Sequence, residues 1–401
     1  MLHKKVWIFF FLEVCAVRAG IISSIKNDPE TAMPVPDIIR FNGYPAEVHE
    51  VTTKDGYILE IHRIPHGKEK PHSANRPVFF LQHGLLCSSA DWVVNPVNSS
   101  LAFLLADAGF DVWLGNSRGN TYAKKHATFP VDSDEFWKFS WDDMAAKDIP
   151  AVIEYIKQQT GVEQLHYAGH SQGTMIAFAG FSQSQELAKS IKKFYGLAPV
   201  AYLGNMESPL KYLASVTPEL EFIFDVFGVR DFMPQNWIIT WLASHLCTKS
   251  VLKDICANVV FVICGYDKPQ MNETRLDVYM THSPAGTSVQ NVVHYAQAYK
   301  SAAFQMYDWG REENLKRYNQ TTPPQYDLSN FHVPSTLYYG GNDWLADSQD
   351  VHRLFDSLPK GVLHSKKFIK SWMHLDFIWG MDAPTEVYDD LIRDALLDLE
   401  K

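Results

Sequence analysis

The sequence predicts an α/β protein: a mostly parallel sheet covered by helices on both faces, with a helical insertion late in the chain. Three observations point there. Short continuous apolar runs alternate with segments of helical period from about Pro77 to Ala201. The rhythm stops from about Leu203 to Leu328 and then resumes. One serine, Ser171, stands in a Gly-x-Ser-x-Gly turn between an apolar run and a helical segment.

Taken in order, "MLHKKVWIFFFLEVCAVRAG" places Lys4 and Lys5 before an apolar stretch, and Val17-Arg18-Ala19 offers small residues for cleavage. Residues 1–19 are therefore expected to be a secretory signal peptide, although Glu13 interrupts the apolar region. "HEVTTKDGYILEIHRIP" reads as a hairpin turning at Lys54-Asp55-Gly56. "RPVFFLQHG", "FDVWLGN", "QLHYAGH" and "KKFYGLAPVA" read as buried strands. Between them, "SSLAFLLADAGF", "DDMAAKDIPAVIEYIKQQTG" and "QGTMIAFAGFSQ" read as helices, the second ending at Gly161. After the insertion come a strand in "STLYYGGND", a helix in "SQDVHRLFDSLP", a strand in "VLHSKKFI" and a helix from Pro384 on. The expected organisation is a first part of the core over 20–202, a cap over 203–328 and a second part of the core over 329–401.

The 401 residues are 46% hydrophobic and 20% charged, with a formal net charge of -10. That balance suits a large globular core and gives no basic footprint for nucleic acid. After the N-terminus no run approaches the ~18 apolar residues that a transmembrane helix needs. The terminal "LLDLEK" is no retention signal. Without Cys15 of the signal, Cys87, Cys247, Cys256 and Cys264 remain, and their spacing matches no zinc ribbon. Cys247 and Cys256 are close enough to close a local loop in an oxidising compartment, while buried free thiols are the default for Cys87 and Cys264. Asn98, Asn272 and Asn319 head Asn-x-Ser/Thr sites, which gain meaning from the expected signal peptide.

Two serines match the Gly-x-Ser-x-Gly pattern: Ser171 in "GHSQG" and Ser117 in "GNSRG". A nucleophile of this kind needs a strained turn from a strand into a helix. Ser171 has "LHYA" before it and the small-residue helix "TMIAFAGF" after it. Ser117 is followed by the polar "NTYAKKHATFPVD", a long loop, so Ser171 is the expected nucleophile. A serine hydroxyl needs a base, and the base an orienting acid. Asp343 lies in the turn directly after a late strand, whereas Asp347 is more simply the N-cap of the next helix. His374 follows the last strand in a loop; His352 sits on an amphipathic helix and His364 within a strand. The oxyanion hole needs two backbone N–H groups. Gln172, after the nucleophile, and Leu85, after the turn at His83-Gly84, are placed to supply them.

"QHGLLCSSADW", "ADAGFDVWLGNSRGNTY", "LHYAGHSQGT", "RLDVYMTHSPAGTSVQN", "GGNDWLAD" and "HLDFIWGMDAP" resemble the acid lipase family, the relatives of gastric lipase and lysosomal acid lipase. The resemblance runs from about Asp37 to the C-terminus. It implies an α/β-hydrolase fold with a helical cap and an acidic working pH. The implied reaction is hydrolysis of triacylglycerols or steryl esters without metal or other cofactor. It carries Ser171, Asp343 and His374 over as the catalytic residues and Leu85 and Gln172 as oxyanion donors. It also implies that Cys247 pairs with Cys256 and that Cys264 stays free, and it leaves Cys87 without a counterpart. The rivals are an esterase for a monoacylglycerol, wax or retinyl ester, and an inactive lipid-binding homologue. A secreted or lysosomal protein meeting its substrate at a lipid–water interface is expected. Within the insertion, "MPQNWIITWLASHL" carries Trp237, Ile238, Ile239, Trp241 and Leu242 and reads as part of a mobile lid, the alternative being that these residues fill the core of the cap.

Overall fold

A computed structural model describes residues 28–69, 76–213, 231–232, 259–265 and 267–399. The expected signal peptide, Cys247, Cys256 and the 233–246 segment lie outside the described residues.

The described chain is organised by a nine-stranded sheet. The hairpin β1 (Glu47–Thr52) and β2 (Tyr57–Ile64) forms one side, antiparallel, with Val48 opposite His62 and Val51 opposite Leu59. Next come β3 (Val78–Gln82), β4 (Asp111–Leu114), β5 (Lys125–His126), β6 (Leu165–His170) and β7 (Ile191–Leu197) in chain order. A small ladder of β8 (Asp231–Phe232) and β9 (Thr287–Ser288) stands apart. The last strands are β10 (Ser335–Gly340) and β11 (Leu363–Ile369). In space the main sheet runs β1-β2-β4-β3-β6-β7-β10-β11, and every pair from β4 to β11 is parallel. β3, β4 and β6 are buried at every position, as strands covered on both faces must be. β11, at the edge, exposes Lys366 and leaves only one side paired.

The predicted elements appear with three differences, one being that the last helix opens with a π-helical turn, Pro384–Tyr388, before the α-helix Asp389–Leu397. Lys125 and His126, expected in a loop, pair antiparallel with Tyr57 and Ile58 of β2; two residues are too few to carry an alternating pattern. The helix expected over "DDMAAKDIPAVIEYIKQQTG" is also divided. Trp141–Asp143 leads into a π-helical turn, Met144–Asp148, and then the helix Ile149–Thr160. Pro150 lacks an N–H and crowds the carbonyl four residues back, so the wider turn relieves the ladder there. The same turn points Asp148 inward, where it is buried. Beyond it Ile149, Val152, Ile153 and Ile156 form the buried stripe foreseen from their spacing.

Between β7 and β10 the described segments are mainly helical, including Val259–Cys264, Leu276–His282, Val289–Ser301 and Arg311–Tyr318. No helix among the described residues is long and apolar enough to cross a membrane.

Candidate active site

The parallel strands end along one edge of the sheet, and the loops that follow them carry the site. Ser171 joins β6 to the helix Gln172–Gln183, which is buried along almost its whole length. Its backbone has φ 53° and ψ -116°, a region that a side chain adopts only under strain, worth about 1–3 kcal/mol. The turn is held by Ser171 N–H donating to Leu197 O (3.0 Å) and by Ser171 O accepting from Thr174 N–H (2.8 Å) and Thr174 Oγ1 (2.6 Å). The flanking glycines are dictated by packing. A Cβ on Gly169 would lie 2.6 Å from the carbonyl of Gly173, and one on Gly173 would lie 2.3 Å from Gln82 O of β3. The helix can start this close to the sheet only if both positions lack side chains.

Ser171, His374 and Asp343 come from three separate loops and meet in one hydrogen-bonded line. Ser171 Oγ lies 2.6 Å from His374 Nε2, and His374 Nδ1 lies 2.9 and 2.8 Å from the two carboxylate oxygens of Asp343. The network makes Nδ1 the protonated nitrogen and leaves Nε2 as the acceptor for the serine. Asp343 Oδ1 also accepts from Leu345 N–H (2.9 Å) and Ala346 N–H (2.8 Å), which fixes the carboxylate in its turn. All three residues are buried. Asp347 is the N-cap of the helix Ser348–Ser357, accepting from Gln349 N–H at 2.8 Å, as its position after a loop predicts. His352 and His364 are exposed and away from this line.

Leu85 borders the same space and Gln172 follows Ser171 directly at the start of its helix, and neither backbone N–H donates to a protein acceptor among the described residues. A cavity of about 10 Å³, room for roughly one water, is bounded by Gly84, Leu85, Cys87, Ser171, Cys264 and His374. Cys87 and Cys264 are thus free thiols in its wall, and burial pushes both thiols up in pKa, so they stay protonated. Ser117 is elsewhere in purpose: its hydroxyl accepts from Gln82 Nε2 at 3.0 Å. Asn98 and Asn319 are exposed and Asn272 is half-buried, its side chain capping Thr274 N–H at 3.1 Å.

Four further side chains support the site. His170 Nε2 donates to His374 O at 2.9 Å, tying the His374 backbone to the Ser171 turn. From the insertion, Asn291 Nδ2 (2.8 Å) and Tyr295 OH (3.3 Å) donate to Gln172 Oε1. His83 is buried against Gly84. His83 and His170 adjoin motif residues and were open to notice; Asn291 and Tyr295 carry no local signal, since only folding brings their helix there.

Comparison with known proteins identifies the family and the fold. The family described as alpha/beta hydrolase fold matches residues 77–381, and the partial alpha/beta-hydrolase lipase region matches residues 35–96. Human lysosomal acid lipase/cholesteryl ester hydrolase is 51% identical over 369 residues, covering 91% of each chain. Human gastric triacylglycerol lipase is 50% identical over 384 residues, covering 95% of this chain and 96% of the relative. Among solved structures, a soluble variant of monoglyceride lipase from Saccharomyces cerevisiae shares the fold at a TM-score of 0.55 and 13% identity, covering 92% of this chain and 96% of that one. The chain therefore belongs to the acid lipase family, carboxylic-ester hydrolases of the α/β-hydrolase fold.

Proposed function

We propose that the protein hydrolyses neutral lipid esters, triacylglycerols and steryl esters, through an acyl-enzyme on Ser171. The observation that carries this reading is the buried line Ser171–His374–Asp343, set beside two N–H groups without acceptors. The substrate classes are those in the names of the human relatives, each about half identical to this chain.

His374 Nε2 takes the Ser171 proton as Oγ attacks the ester carbonyl. The charge developing on the carbonyl oxygen is met by the N–H of Leu85 and by the N–H of Gln172, and the place of Gln172 at a helix N-terminus adds to the local positive potential. Asp343 holds the imidazole in the needed tautomer and stabilises the imidazolium. His374 then returns the proton to the departing alcohol. Water, activated by the same nitrogen, releases the fatty acid. No step calls on Cys87 or Cys264.

The apolar N-terminal stretch, the three Asn-x-Ser/Thr sites at or near the surface and the lysosomal and gastric relatives support a secreted or lysosomal protein. The test is covalent labelling with a fluorophosphonate, peptide mapping, and release assays on triolein, cholesteryl oleate and retinyl palmitate. Ser171→Ala should lose the label and roughly 10⁴–10⁶-fold in turnover. Ser117→Ala should still label at Ser171. Hydrolysis by Ser171→Ala near the parent rate, or release from retinyl palmitate alone, would overturn the assignment.

A further inference from the structure

The second Gly-x-Ser-x-Gly match, Gly115–Gly119, has no part in the chemistry above, yet it is buried beside it. We propose that this segment, with Asn120, is a clamp on the oxyanion loop, and that His83 is the positioning residue through which it aims the Leu85 N–H. The proposal rests on the acyl-enzyme reading and deepens it.

One peptide plane decides where the Leu85 N–H points. Gly84 C=O and Leu85 N–H belong to the same peptide unit. In a planar trans peptide they point in opposite directions. Gly84 O accepts from His83 Nδ1 at 2.8 Å and, at the longer 3.3 Å, from Cys87 N–H, so donors on one side of the plane, the shorter from His83, turn Leu85 N–H to the other. His83 can donate there only if Nδ1 carries the proton. Its other nitrogen settles that: Nε2 faces two donors, Ser117 N–H at 3.0 Å and Asn120 Nδ2 at 3.2 Å, and must accept. Burial pushes the His83 pKa down to about 4, so the ring stays neutral, with one donor and one acceptor nitrogen.

The clamp grips the rest of the loop as well. Asn120 Nδ2 lies 3.3 Å from Cys87 O and 3.0 Å from Asn116 Oδ1, and Asn116 Oδ1 accepts from Ser89 N–H at 2.9 Å. Leu86, between these points, is held at φ 62°, a left-handed conformation that needs such support. The clamp itself is anchored. Arg118, 1% exposed, donates to Asp148 at 2.6 and 2.8 Å and to Asp55 at 2.8 Å, and lies 4.0 Å over the Tyr57 ring. Those carboxylates come from the π-helical turn and from the β1–β2 hairpin, so the loop is braced against both sides of the core.

The experiment compares His83→Ala, His83→Asn, His83→Gln and Asn120→Ala in kcat and KM on a short soluble ester, with thermal melting alongside. An asparagine amide nitrogen falls near the Nδ1 position and can donate to Gly84 O; glutamine reaches toward Nε2 instead. His83→Ala and His83→Gln should lose roughly 10²–10³-fold in kcat, the scale of one oxyanion donor, with KM little changed. His83→Asn should recover at least tenfold of that loss, and Asn120→Ala should fall between. Selective ¹⁵N-histidine spectra should show His83 protonated at Nδ1 in the parent. Equal kcat in His83→Ala and His83→Asn at equal melting temperature, or an Nε2-protonated His83, would overturn the clamp. If His83→Ala fails to fold, the comparison of His83→Asn, His83→Gln and Asn120→Ala decides. A parent enzyme that neither labels at Ser171 nor turns over would instead sink the acyl-enzyme reading on which the clamp depends.

Discussion

Replacing Gly173 by alanine should uncouple the fold from the catalysis. The added Cβ would sit 2.3 Å from Gln82 O and 3.0 Å from both Gln82 C and His83 O, all main-chain atoms of β3 and its exit. Ordinary contact begins near 3.4 Å, so the helix Gln172–Gln183 must withdraw from β3 by about 1 Å. Overpacking of this kind costs about 1–3 kcal/mol, against which alanine in a helix returns about 0.5–1 kcal/mol. Net stability should therefore fall by a modest amount, and the melting temperature by a few degrees. Activity should fall much further. Ser171 and Gln172 ride on the displaced helix end, whereas Leu85 stays with β3, so the two oxyanion donors part. A shift of ~1 Å in a reacting group costs about 10²-fold in rate. Gly180→Ala, on the same helix, is the control. Its Cβ would meet Ala145 O at 3.0 Å and Leu187 Cδ2 at 3.6 Å, far from the nucleophile. It should melt near the parent and turn over within about threefold of it. The assay is kcat on a short soluble ester, corrected for active fraction by phosphonate titration. Gly173→Ala with parental kcat would refute the packing argument for the motif.

Other substitutions test the surroundings. Arg118→Met leaves the buried Asp148 without its partner and should destabilise the fold by about 3–5 kcal/mol in denaturant unfolding, while an exposed pair such as Lys316–Glu313 should be nearly silent on removal. Asp91 is buried beside the Cys87 thiol, and burial raises its pKa from 3.8 to about 7 against the lowering effect of a hydrogen bond from that thiol. The folded state then holds a proton that the unfolded state has released, so this group's stabilising contribution is full below about pH 4 and is lost as pH rises through about 7. Asp91→Asn should remove that slope, an effect of about 2–3 kcal/mol when unfolding free energies at about pH 5 and about pH 8 are compared with those of the parent. Buried His83 and His294, pushed down to about 4 and about 3, contribute the opposite slope below 6.5, and they cancel in the comparison. An unchanged slope in Asp91→Asn would show that the carboxyl is not protonated in the folded state at acidic pH.

What was legible in the residue order was local or periodic. Continuous apolar runs marked β3, β4 and β6 because strands covered on both faces have no polar side to show. Ser171 separated itself from Ser117 because a strained strand-to-helix turn needs a helix to enter, and only one serine had it. That Asp343 and His374 would meet Ser171 followed from the order in which parallel strands deliver their loops to one edge. Other features depended on contacts between segments far apart in the chain. Nothing near Asn291 announces that its side chain, 119 residues from Gln172, will hold the residue beside the nucleophile. Nothing near Ser117 announces that its N–H will set a histidine tautomer 34 residues earlier. Hydrogen bonds of this kind are chosen by position in space, where many polar side chains of similar chemistry compete, and the chain records no period or spacing for them. Periodicity specifies which face an element buries; packing against its neighbours specifies which atoms meet there.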